Sequence, residues 1–135
     1  MIFLGMLGLL LGGFLAFQML SKPVGPPPPE VAKDPLLVQG RAIYLARCAT
    51  CHGNEGRGDG PIAGSLLGPP VGNLTDDHWK HGDQPAEVLK VIGAGAPDTR
   101  MQGWGDVLDA AELRAAAAYV YYLAKRPVPE ELRKP

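Results

Sequence analysis

Cys48 and Cys51 are the only cysteines of the chain, and His52 directly follows the second. Two thiols and an imidazole in the run Cys48-Ala49-Thr50-Cys51-His52 could do four kinds of chemistry. A structural zinc site needs four protein ligands, and only His78 and His81 remain to complete one. A redox dithiol belongs at a helix N-terminus in a βαβ fold, where the helix dipole lowers the thiol pKa. A disulfide across two intervening residues is rarer still. Covalent haem attachment is the fourth, because Cys-x-x-Cys-His is the c-type haem pattern. At the C-terminal end of a helix, thiols at i and i+3 lie on one side. They suit thioether bonds to the two vinyl groups of one haem edge, and the adjacent His52 can offer its imidazole to the iron.

A haem iron ligated by His52 needs a second axial group. Met1, Met6 and Met19 lie in the apolar N-terminal run, so Met101 is the thioether available, in the loop "PDTRMQGWGD". His78 or His81 would be the bis-imidazole alternative. Met paired with His raises the reduction potential relative to more basic ligand pairs, and a filled sixth position leaves no open site for a substrate.

These residues need elements to place them. Asp34 can cap a helix that has Pro35 in its first turn, and the pattern predicts a helix over 35–48. Residues 53–77 are rich in Gly and Pro without alternating β-branched residues, which predicts loop. A short helix is expected over 85–92, with Gly93 just past its end. The longest is expected over 109–125, with Asp109 as N-cap, Glu112 completing a capping box, and Pro127 stopping it. The fold class expected is all-α. Three short helices joined by long loops make a thin polypeptide core, so a bound group is expected to fill it.

The first twenty residues, "MIFLGMLGLLLGGFLAFQML", hold no charge and one polar side chain, Gln18. As a helix, Ile2 to Leu20 would be about 28 Å long, close to the ~30 Å of a bilayer core. With no basic residue before Ser21 and no small-x-small cleavage site, the run reads as a retained single transmembrane anchor. Gly5, Gly8, Gly12 and Ala16 would form a small-residue stripe suited to close helix packing. The organisation expected is an anchor over 1–20, a proline-rich linker over 21–34, a domain over 35–126 and a tail over 127–135. The linker would reach on the order of 40 Å as semi-rigid polyproline II.

Residues 35–126 resemble a class I cytochrome c domain of the bacterial, membrane-anchored kind. The resemblance rests on "CATCHGNEGRGDG", "LLGPPVGNLTD", "HWKHGDQPAEVLKVIGAGAPDTRMQGWGD" and the closing "AAYVYYLAK". It implies a cytochrome c fold around one covalent haem c, with His52 and Met101 as the iron ligands. It also implies that the first and last helices cross near Gly40 and Tyr44 against a C-terminal aromatic, Tyr119. A carbonyl of Pro69 or Pro70 is expected to accept the Nδ1 proton of His52. Trp79, Arg100 and Trp104 are candidates to bond the haem propionates. Related sequences often have Pro after the ligand Met, and Gln102 here predicts a less rigid loop.

The function expected is one-electron transfer, with the membrane and other electron-transfer proteins as partners and no nucleic acid or small-molecule substrate. Thioether attachment, as the resemblance implies, is made outside the cytoplasmic membrane. That places the domain on the periplasmic face, against the weak contrary vote of Lys22 and Lys33. A fixed subunit of a larger respiratory or photosynthetic assembly is the favoured mode, with a tethered shuttle as the alternative. A haem sensor or peroxidase with a displaceable Met101 is the reading from another class. The stretch from Glu55 to Glu112 carries net charge −6, which suits docking to a basic or neutral patch.

Overall fold

The computed structural model describes residues 24–135. The expected anchor over 1–20 lies outside the described residues, and among those described no helix is long and apolar enough to cross a membrane. Among the described residues five helices follow in order: α1 (Pro29–Ala32), α2 (Pro35–Arg47), α3 (Ala49–His52), α4 (Pro85–Ala94) and α5 (Ala110–Leu123). Single 3-10 turns occupy Ala63–Ser65 and Glu130–Arg133. An isolated antiparallel bridge, Gly95 with Gln102, is the β pairing among the described residues.

Each helix starts where its local chemistry permits. The Asp34 carboxylate accepts from the Leu36 N–H at 3.0 Å, and Pro35 occupies the first turn, where its missing N–H has no partner to lose. At α5 the Asp109 and Glu112 carboxylates each accept the other's backbone N–H at 2.9 Å, the reciprocal box its sequence predicts. α4 runs two residues further than its glycine suggested. Gly93 stays helical, and Gly95, at φ 91°, ends the helix in a conformation that favours glycine. α5 ends at Leu123 ahead of Pro127, with Lys125 taking the left-handed turn.

The core sits where α2 crosses α5. Ala115, Ala116, Ala117 and Ala118 are all buried, and four small side chains in a row bring the backbones close. A Cβ on Gly40 would collide with the Ala115 carbonyl oxygen and sit 2.9 Å from Tyr119 Cβ, so glycine is required at this contact. The Tyr44 and Tyr119 rings pack beside it with centroids 5.3 Å apart. This is the crossing implied by the resemblance.

The segment read as linker is in part built into the domain. Val31 in α1 is fully buried, and Leu132 in the tail is 1% exposed. Arg133 donates to Asp34 Oδ2 at 2.9 Å, Tyr122 donates to Glu30 at 2.8 Å, and Arg41 donates to the Gly25 carbonyl at 2.6 Å. Buried apolar side chains at both ends thus lash residues 25–34 and the tail onto the helix pair. Leu132→Ala should lower stability by ~2–5 kcal/mol, read from denaturant midpoints, because it empties a closed site.

The Arg133 guanidinium beside Asp34 holds its carboxyl below the usual range. A depressed folded pKa gives stability that is present above the unfolded value, ~3.9, and lost as pH falls through the folded one. The melting-temperature gap between the wild type and Asp34→Asn should therefore narrow below about pH 4. A gap independent of pH would deny the pairing any electrostatic role.

Candidate haem site

α2 ends at Arg47, one residue before the expected limit, and α3 carries Cys51 and His52. Cys48, at the junction, keeps helical backbone angles, and its N–H donates to the Tyr44 carbonyl. Gly53, at φ 79°, closes α3, and its carbonyl accepts the Tyr44 hydroxyl at 2.7 Å. The following loop is tied back by Gly58 N–H to His52 O and Gly60 N–H to Cys51 O. Cys48, Cys51 and His52 are thus fixed from both sides.

They open onto a cavity of about 580 Å³, within the ~300–1,000 Å³ typical of ligand sites. Cys48, Cys51, His52 and Met101 all lie on its wall, and Val88, Ile92, Leu66 and Val120 supply apolar lining. His52 Nδ1 lies 3.1 Å from the Gly72 carbonyl. A carbonyl only accepts, so Nδ1 carries the proton and Nε2 keeps its lone pair, the arrangement a metal-ligating histidine needs. Burial lowers the His52 pKa, with the Gly72 bond opposing, so the imidazole is neutral at pH 7.

Burial, reinforced by Cys51, pushes the Cys48 thiol up to about 11. A redox dithiol requires the opposite shift, so this environment is wrong for thiolate exchange and right for a thiol consumed in a stable bond. Among the described residues no group of three or more His, Cys, Asp or Glu could hold a metal ion by itself, which removes the zinc reading there. Two thiols, a neutral imidazole and a thioether around an apolar hollow fit haem.

The Met101 loop is firmer than Gln102 suggested. The Thr99 hydroxyl donates to the Ala96 carbonyl at 2.8 Å and accepts from the Met101 N–H at 3.1 Å. The Ala96 N–H donates to Met101 O at 3.2 Å, and Trp104 N–H donates to Ile92 O at 2.9 Å. These bonds do what a proline after Met101 would do. Thr99→Val should leave Met101 N–H without its hydroxyl acceptor, costing about 1 kcal/mol and, under the expected Met101 ligation, weakening the far-red ferric band of the haem. An unchanged band up to the unfolding temperature would remove Thr99 from this role.

The other expected site residues reach the cavity in altered roles. Pro69 and Pro70 line it, but the carbonyl that meets His52 is that of Gly72, two residues on. The run 69–73 offers successive carbonyls, and only the backbone path selects among them. Trp79 lines the cavity with its indole N–H turned to Asp77 Oδ1 at 3.3 Å rather than held for a propionate. Its ring packs on Tyr121 at 5.1 Å, with the Arg126 guanidinium 5.3 Å away. Arg126 also reaches Asp83 at 2.9 Å, so it pins the loop that carries Trp79. Trp104 lines the wall under the Arg47 guanidinium at 5.8 Å, and Arg100 stands at the exposed edge. His78 and His81 also line the cavity. Arg126, Asp77, Thr99 and Gly72 were not legible as site residues, because each acts through a backbone or a neighbour.

With this geometry, residues 35–120 match the model of the family described as cytochrome c oxidase, cbb3-type, subunit III. The chain belongs to that family. Its domain is accordingly a cytochrome c fold, and a c-type cytochrome holds haem covalently. The chain is 33% identical over 89 residues to the cbb3-type cytochrome c oxidase subunit FixP of Azorhizobium caulinodans, covering 66% of this chain and 28% of that protein. It is 34% identical over 88 residues to the subunit CcoP of Cereibacter sphaeroides, covering 65% and 28%. The chain therefore spans a little over a quarter of the length of these relatives. Among solved structures it resembles a chain of the Kuenenia stuttgartiensis reducing HAO-like protein complex, with TM-score 0.60 and 27% identity, over 77% of this chain and 48% of that one.

Proposed function

We propose that this chain is a one-electron carrier, with one haem joined to Cys48 and Cys51 and ligated by His52 and Met101. The observation that carries the reading is the single apolar cavity walled by all four side chains, with His52 Nε2 left free by the Nδ1 bond to Gly72. The haem, when bound, supplies an iron that alternates between ferric and ferrous states. The polypeptide does the rest. Cys48 and Cys51 hold, His52 keeps one tautomer, Met101 favours the ferrous state, and Val88, Ile92 and Val120 keep water from the cavity.

We further propose that it works as a membrane-anchored subunit of a respiratory oxidase complex, with the domain on the periplasmic face between a quinol-oxidising complex and a terminal acceptor. Two relatives bear the names of cbb3-type oxidase subunits, which supports an assembly of that class. The lashing of residues 25–34 to the domain adds a physical argument. With residues 25–34 held against the domain, the ~40 Å reach expected of a linker over 21–34 is cut short, which disfavours a long swing. A tethered shuttle is the competing mode.

Gentle detergent solubilisation followed by a native gel stained for haem separates the two. A band much larger than the 14.3 kDa chain with its detergent is the result expected of a subunit. Migration as the lone chain would favour the shuttle. The acidic stretch over 55–112 predicts that transfer to the true partner slows as salt rises, since screening weakens attraction between opposite fields. Acceleration by salt would reverse the sign of the docking surface.

A further inference from the structure

We propose that Tyr44, Tyr119 and Tyr122 form an escape path along which an oxidising equivalent, left in the haem cavity by hydrogen peroxide when Met101 has come off the iron, leaves the interior and comes to rest on Tyr122. The inference rests on the haem reading above and concerns residues that electron transfer between partners does not use. Tyr44 lines the cavity and is 1% exposed. Its ring centroid lies 5.3 Å from that of Tyr119, which in turn stacks on Tyr122 at 5.5 Å and 27°. Tyr122 is half-buried and opens on a second cleft, lined by Glu30, Arg57 and Lys125, away from the haem cavity. Three rings in near contact thus join the cavity to the surface.

The direction follows from where a proton can go. A phenol that loses an electron becomes a strong acid, so the hole settles where a base stands beside the hydroxyl. The Tyr44 hydroxyl donates to the Gly53 carbonyl, which is no base. Tyr119 lies beside the Arg41 guanidinium, which repels a positive charge on the ring. Tyr122 alone of the three donates to a carboxylate, Glu30 Oε1 at 2.8 Å. Glu30, its pKa lowered by backbone bonding and by Tyr122, is ionised and ready to accept.

A second aromatic pair, Trp79 on Tyr121, also starts at the cavity but ends badly. Arg126 stands over Trp79, and the Tyr121 hydroxyl donates to the Asp83 backbone carbonyl. The electron count closes. Reducing one peroxide to two waters takes two electrons and two protons. Tyr122 passes both electrons inward in turn, through Tyr119 and Tyr44, and is restored from outside after each. Solvent supplies both protons, while the phenolic proton of Tyr122 moves to Glu30. A surface reductant such as ascorbate then restores Tyr122, and the proton returns.

The test uses the full haem-loaded chain in the ferric state, treated with hydrogen peroxide in the presence of a nitroso spin trap, with adducts located by peptide mass spectrometry. The expected adduct is on Tyr122. Tyr122→Phe, which keeps the ring stack, should lose it and bleach its haem faster, and Glu30→Gln should lower the adduct yield. Tyr121→Phe should change neither. Adducts on Tyr121 or Met101, no adduct at all, or unchanged bleaching in Tyr122→Phe would overturn the path while leaving the haem reading intact. A chain that retains no covalent haem would overturn both.

Discussion

Gly40→Ala is expected to destabilise the domain by at least ~3 kcal/mol, near the upper range of overpacking costs. In an ordinary helix the same change would stabilise, by ~0.5–1 kcal/mol. Here the added carbon meets the Ala115 carbonyl oxygen and Tyr119 Cβ, and neither can turn away, because one is backbone and the other is a side-chain root on a buried helix. α2 and α5 must separate, which loosens the contacts of the four buried alanines together. At roughly 4–8 °C per kcal/mol for a domain of this size, the melting temperature should fall by on the order of 15 °C. Wild-type melting would mean that the helices do not touch at this point.

The second large effect belongs to Met101, the proposed iron ligand. Met101→His should lower the reduction potential by a sizeable fraction of the ~0.8 V over which axial ligands move haem potentials, because an imidazole stabilises ferric iron better than a thioether. Spectroelectrochemical titration reads the shift, and the far-red ferric band should vanish with it. An unchanged potential would hand the sixth position to His78 or His81, both of which line the cavity. The Thr99 bonds make the substitution clean, since they hold the backbone of residue 101 whatever its side chain.

What the sequence made legible divides along a physical line. Features set by a residue and its near neighbours were readable: the Asp34 and Asp109 caps, the loop over 53–77, and the Cys48, Cys51 and His52 triad on one helical turn. Positions set by the path of a flexible backbone were not. The acceptor for His52 fell at Gly72 rather than Pro69 or Pro70, because each carbonyl in that run differs from the next only in where the loop carries it. Gln102 suggested a slack loop by its lack of ring, and the Thr99 hydroxyl supplied the missing restraint from three residues away. The linker reading was incomplete where long-range burial outweighed local composition. Four consecutive prolines do favour an extended chain, but Val31 and Leu132 lie 101 positions apart and are buried in the same core cluster.

The Trp79 loop shows the same lesson at the site itself. An indole in a glycine-rich loop near a haem invites a propionate bond, yet Asp77, two residues before it, takes the N–H. Arg126 then fastens the loop from beyond the last helix. The cavity wall is therefore set by charge pairing between segments that no local pattern connects.

The intact mass of the full chain, matured in cells that attach c-type haem and then acid-denatured, is the most direct test. One haem per chain, with no free thiol left at Cys48 or Cys51, is the predicted result. A chain that denatures to its bare mass, with both thiols free or joined to each other, would contradict it.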